Sequence, residues 1–117
     1  MSYSVDLCDP VTKRPIVLDH KHFICGGTYD SQGTDDLQLY ITYNYSGVLE
    51  QVLPGGLTTL HNRTALETLP MLVHAITNLK DDVDPDYWQP TEGNVKQALI
   101  ILHTYALMRL DGVWCVN

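Results

Sequence analysis

The chain reads as an α+β domain: a small antiparallel sheet of about three strands from the N-terminal half, packed against two main C-terminal helices. Three observations predict it. Leu37, Leu39, Ile41 and Tyr43 alternate with Gln38, Tyr40 and Thr42, the period of a half-buried strand. Residues 92–109 carry apolar side chains at helical spacing between a start and a stop signal. Strand-like segments precede the helical ones, without the alternation of a doubly wound fold. A length of 117 residues fits one domain, 1–117.

Residues 3–8 alternate, with Tyr3, Val5 and Leu7 on one face of a short strand. A turn begins at Asp9-Pro10, and residues 15–18 make a second strand with its proline at the start. Paired glycines at 26–27 argue against regular structure there, and residues 30–36 read as a loop. After the strand at 37–43, residues 47–53 form a helical turn or two, ended by Pro54-Gly55-Gly56.

A helix starts near Thr64, where Thr64 and Glu67 have capping-box spacing; Pro70 restarts or kinks it. Leu69, Leu72, Val73, Ile76 and Leu79 share its expected buried face. The last helix has Thr91 as N-cap, Glu92 in the first turn, Arg109 near the end and Asp111-Gly112 beyond. Val95, Ala98, Leu99, Leu102, Tyr105 and Ala106 form its apolar face, extended by Ile101 and Met108. Lys96, Gln97, His103 and Thr104 lie opposite, but so do Ile100 and Leu107. Those two predict cover from further elements or a partner chain, and mark a candidate homodimer interface.

Fourteen acids against seven bases give a net charge of −7. Direct nucleic-acid binding is therefore not expected, because phosphate contacts need clustered Lys and Arg; a basic protein partner suits the charge. Cys8, Cys25 and Cys115 are odd in number and lack CxxC spacing, so neither a disulfide framework nor a zinc site is signalled. The opening residues lack the basic and apolar regions of a signal peptide, and no apolar run approaches a membrane span. The expected setting is the cytoplasm, away from the membrane.

The acids Asp81, Asp82, Asp84 and Asp86 invite a calcium reading. Counted from Asp82, however, Tyr87 stands where the EF-hand loop needs Gly, and Gly93 where it needs Glu. A solvated acidic loop fits better. His20 and His22 make half a metal site with no third ligand at a recognisable spacing. Residues 26–28 lack the Lys of a phosphate loop, and no GxSxG occurs. No catalytic residue, metal ligand or cofactor is assigned.

The candidate ligand- or partner-binding residues are Thr28, Tyr29, Tyr43, Asn44, Tyr45, Trp88, Glu92 and Asn94. Aromatic rings with polar tips suit contact surfaces. The same residues also admit a structural reading. Tyr87 and Trp88 would staple the helix entrance to the core, while Asn44 and Glu92 satisfy backbone groups.

GGTY at 26–29, ITYNYS at 41–46, DDVDPDYWQPTEGNVKQAL at 81–99 and RLDGVW at 109–114 resemble the motifs of a family of small uncharacterised proteins. These are carried by bacteriophages, prophages and other mobile elements. Members read GGTY, TYNYS, GxxSxYGxTGAESIP, DDYWxPTEGNAKxAL and RPDGVWDG. This chain departs at 57–70, at Leu110 where Pro is usual, and at its last three residues. The resemblance implies a phage or mobile-element setting and no activity. The expectation is a non-enzymatic accessory protein that binds, and so inhibits, a host or defence protein in the bacterial cytoplasm. The alternatives are a nucleotide- or metabolite-binding domain with its pocket between Thr28, Asn44 and the last helix, or a small hydrolase using Glu92, Asn94 and a histidine.

Overall fold

In the computed structural model, which describes residues 2–22 and 34–117, the elements run β1 (Ser2–Cys8), β2 (Val17–His22), β3 (Thr34–Asp36), β4 (Gln38–Thr42), α1 (Ser46–Val52), α2 (Ala65–Thr77), α3 (Glu92–Met108) and β5 (Val113–Val116). The fold is α+β. A three-stranded antiparallel sheet, ordered β4-β1-β5, carries the helices on one face. Strand parity dictates which face. Val5 lies opposite Leu39 and Val116, and Leu7 lies opposite Trp114. These side chains and Ile41 point inward and are buried.

The third place in the sheet belongs to the C-terminal tail, not to residues 15–18. The tail returns because Gly112 permits a tight approach: a Cβ there would lie 2.6 Å from Leu7 Cγ. Four residues are too few to display a period, so β5 does not announce itself in sequence.

The segment expected as a strand at 15–18 instead begins at Val17 and pairs with β3 in a separate two-stranded ribbon. That ribbon claims Thr34–Asp36, expected as loop. The ribbon joins the sheet through a triangle of backbone bonds. Leu7 N–H donates to Leu37 O (3.0 Å), Ile16 N–H to Leu7 O (2.9 Å) and Leu37 N–H to Ile16 O (3.2 Å). Both Ile16 and Leu37 are thereby buried.

Tyr43 leaves the strand alternation. Thr42 Oγ1 accepts the Asn44 N–H and starts a 3₁₀ turn over Tyr43–Tyr45, which turns Tyr43 outward and Tyr45 inward. The helical turns expected at 47–53 are α1.

Helix α2 opens with the expected capping box, Glu67 N–H to Thr64 Oγ1 at 3.2 Å and Thr64 N–H to Glu67 Oε1 at 2.8 Å. It runs through Pro70 as one element. Of its expected face Leu72 and Leu79 are buried and Leu69 and Ile76 pack against the core, but Val73 is exposed, and Ala65, Thr68 and Ala75 complete the inward side instead. The reason is close approach. Ala65 N–H donates to Gly112 O at 2.7 Å, so the start of α2 lies directly against the turn before β5.

Helix α3 is the single rod the spacing predicts, with Val95, Ala98, Leu99, Leu102, Tyr105 and Ala106 buried. Met108, expected to extend that face, is exposed because the chain leaves the helix at Arg109. Among the described residues, no helix is long and apolar enough to cross a membrane.

Candidate functional site

The acidic loop before α3 is built by the first turn of that helix. Thr91 Oγ1 caps it, accepting the Asn94 N–H at 3.1 Å. The Asn94 side chain is buried and reaches back into the loop. Its Oδ1 accepts the Asp84 N–H at 3.0 Å, and its Nδ2 donates to Asp86 O at 3.1 Å and Gln89 O at 3.0 Å. Gly93 lets the loop cross directly over the helix: a Cβ would sit 2.6 Å from both Asp82 C and Val83 N. Gly93 N–H donates to Asp82 Oδ1 at 3.0 Å, so a carboxylate of the chain itself occupies the helix N-terminus.

Glu92 Oε1 accepts the Lys80 N–H at 3.2 Å. Lys96 Nζ donates to Asp81 Oδ1 at 2.7 Å. Asp84 Oδ1 accepts from Asp86 N–H (2.8 Å), and Asp86 Oδ1 from Trp88 N–H (3.1 Å), the local bonds that make Asp a turn residue.

This loop delivers Tyr87 and Trp88 to the open edge of β4. Tyr87 Oη donates to Tyr40 O at 3.0 Å and accepts the Thr42 N–H at 3.4 Å, which covers edge groups that would otherwise be free to pair with another chain. The Tyr45 hydroxyl donates to Tyr87 O, and the two rings lie 5.6 Å apart. Burial raises the pKa of both hydroxyls, so both stay protonated. Asn44 Nδ2 donates to Trp88 O at 3.0 Å.

The structure therefore brings Tyr43, Asn44, Tyr45, Trp88, Glu92 and Asn94 into one assembly of loop, strand edge and helix entrance. Tyr45 and Asn94 are interior, and Asn44 and Glu92 hold loop backbone. Trp88 and Tyr43 project, 53% and 43% exposed. Thr28 and Tyr29 lie outside the described residues. Two participants were not singled out from sequence. Tyr40 takes part through its backbone carbonyl, while its own side chain turns to the outer face of the sheet, 46% exposed, by the same parity that buries Leu39 and Ile41. Gly93 gives no signal without the loop that crosses it. Tyr3 meets Tyr43 edge-to-face at 4.6 Å, and Trp88 meets Tyr87 at 5.4 Å.

At the helix entrance Asp82 and Thr91 already accept the Gly93 and Asn94 N–H groups, so an anion there would have to displace them. An apolar groove of about 300 Å³ lies elsewhere, between Val52, Leu53, Pro54, Pro70, Met71 and His74. His20 Nδ1 is hydrogen-bonded to Asp19 at 2.8 Å, and His61 Nδ1 accepts the Val116 N–H at 3.0 Å. No described group of three or more His, Cys, Asp or Glu is placed to hold a metal ion.

On the outer side of the helices, Ile100 and Leu107 are 43% and 57% exposed, as are Leu66, Val73 and Leu110 to similar degrees. Leu66 N–H donates to Leu110 O at 3.1 Å, which brings the start of α2 against the end of α3. Compared with known proteins, the chain matches no family model, no curated protein and no solved structure.

Proposed function

We propose that this is a non-enzymatic binding protein whose contact surface is the aromatic and acidic edge at Tyr43 and Trp88. Its partner is a basic segment of another protein. In the phage or mobile-element setting that the motif resemblance implies, such an accessory acts in the host cytoplasm by occupying a host or defence protein.

One observation carries this reading. Trp88 is exposed, yet its backbone is held on both sides, N–H to Asp86 and C=O to Asn44. An aromatic ring fixed at the surface loses little freedom on binding, which favours an anchor role. The charge around it sets the partner's sign. Residues 80–96 hold five carboxylates against two lysines, and a cation is attracted to the faces of Trp and Tyr.

The test uses an arginine-rich peptide and a glutamate-rich peptide of equal length, titrated by calorimetry. The arginine-rich peptide is expected to bind, more weakly at high salt, with affinity at least about tenfold lower for a Trp88→Ala/Tyr43→Ala double variant that keeps its fold. Equal binding by wild type and variant, or no preference between the peptides, overturns the reading.

A second reading concerns self-association. Ile100, Leu107, Leu66, Val73 and Leu110 give the helix pair an exposed apolar side. A second copy packed two helices on two would bury it in a symmetric dimer.

A further inference from the structure

The polar face of the sheet holds a pair of thiols that the peptide interaction does not use. In the β1–β5 ladder Asp6 stands opposite Cys115, and Cys8 stands opposite Val113. Cys8 and Cys115 are therefore diagonal neighbours on one face, because side chains two apart along a strand share a side. The two are close enough for the Cys115 thiol to raise the Cys8 pKa. Cys8 is buried and Cys115 half-buried. Between them in register lies Asp6, also buried, with Oδ1 lacking any hydrogen-bond partner.

We propose that Cys8 and Cys115 are an oxidisable dithiol, closed to an intramolecular disulfide by a small-molecule disulfide such as oxidised glutathione. The more accessible thiol begins the exchange. Cys115, as thiolate, attacks one sulfur of the oxidant; that S–S bond breaks, and one glutathione thiolate leaves. Cys8 then attacks Cys115 Sγ in the mixed disulfide and expels the second glutathione. The two thiol protons end on the two leaving thiolates, so two cysteines are oxidised and one disulfide is reduced to two thiols. The order follows from environment. Cys115 is half-buried and meets the oxidant first, while Cys8 is buried and reaches only the mixed disulfide beside it; burial first, then the neighbouring Cys115 thiol and the Asp6 charge, push the Cys8 thiol up to about 12, so closure is the slower step and quickens as pH rises.

The product joins residue 8 to residue 115, close to the two ends of the chain. It welds β5, which carries Trp114, to the central strand. A disulfide closing so long a loop removes much of the unfolded chain's freedom. The fold then tightens under oxidising conditions and relaxes when thiols are in excess. This inference stands apart from the proposed contact surface.

The experiment uses the full chain with Cys25→Ser, so that only the pair remains. Incubation with oxidised glutathione is expected to remove both titratable thiols and lower the intact mass by two hydrogens. Peptide mapping is expected to show a link between the segments bearing Cys8 and Cys115. Tm should rise by about 10 °C and return on addition of dithiothreitol. Adding Cys8→Ala should leave Cys115 carrying a stable glutathione instead. Retention of both thiols, a glutathione adduct that never resolves while Cys8 is present, or cross-linking only between chains would each overturn the proposal.

Discussion

The indole N–H of Trp114 donates to Thr68 Oγ1 at 2.8 Å, and both side chains are fully buried. The same hydroxyl donates to Ala65 O at 2.9 Å, so its proton and a lone pair are both engaged. This contact ties the C-terminal strand to α2 and explains a threonine in the middle of a core face. Thr68→Val keeps the shape but strands the indole N–H. It is expected to cost about 1–3 kcal/mol in urea denaturation, whereas Thr68→Ser should cost less. Equal stability of Val and wild type would show that the bond contributes nothing.

Gly93→Ala forces a methyl group into the backbone of Asp82 and Val83. The loop must lift from α3, at roughly 2 kcal/mol or more. Amide exchange at Asp84, whose N–H is held by Asn94, should accelerate in the variant. Gly47 in α1 is the control. A Cβ there meets nothing within 4 Å, so Gly47→Ala should be neutral or stabilise by up to about 1 kcal/mol.

Asn94→Leu leaves the Asp84 N–H and the Asp86 and Gln89 carbonyls without their partner. A loss of about 2–4 kcal/mol is expected by chemical denaturation. Because the same loop holds Trp88, binding of the arginine-rich peptide should weaken too. A variant that loses stability but binds as wild type would separate the loop from the contact surface.

Burial raises the Asp6 carboxyl above its ordinary value; Gln38 offsets this in part, and Asp36 adds to it. The sign follows from the raised folded value. Protonated Asp6 stabilises the fold below the unfolded carboxylate pKa, and that stability is lost as pH rises through the folded value. At neutral pH the ionised group is a cost. Asp6→Asn should therefore raise stability at neutral pH by about 1 kcal/mol, with the gain shrinking as pH falls through the carboxylate range. A pH series of Tm for both proteins checks this; a gain that grows toward acid contradicts it.

If α2 and α3 pair with those of a second copy, wild type is expected to be dimeric by light scattering. Leu107→Glu should then give a monomer of unchanged fold, since a buried carboxylate without a partner opposes the interface. A monomeric wild type at high concentration removes the second reading.

Much of the fold was legible because local signals agreed with it. Thr64 and Glu67 mark a helix start wherever they occur, and Thr91 does the same for α3. Leu39 and Ile41 show their face by parity. The misreadings have separate causes. Val73 looked buried by spacing, yet the small residues Ala65, Thr68 and Ala75 face inward, because close packing rewards fit as well as apolar area. Tyr43 looked like a strand residue until the Thr42 side chain turned the backbone. The candidate site was half legible: its residue types stood out, but their roles depended on what each one touched.

The sequence by itself determined the class, the long helix, the helix starts and the acidic, aromatic character of the loop before α3. These follow from periodicity, capping chemistry and charge, which act over a few residues. Only the tertiary structure decided that the tail completes the sheet, that Asn94 is an internal brace while Trp88 faces outward, and that Cys8 meets Cys115. Each of those depends on groups far apart in the chain, placed by strand register and by backbones passing within contact distance at Gly93 and Gly112.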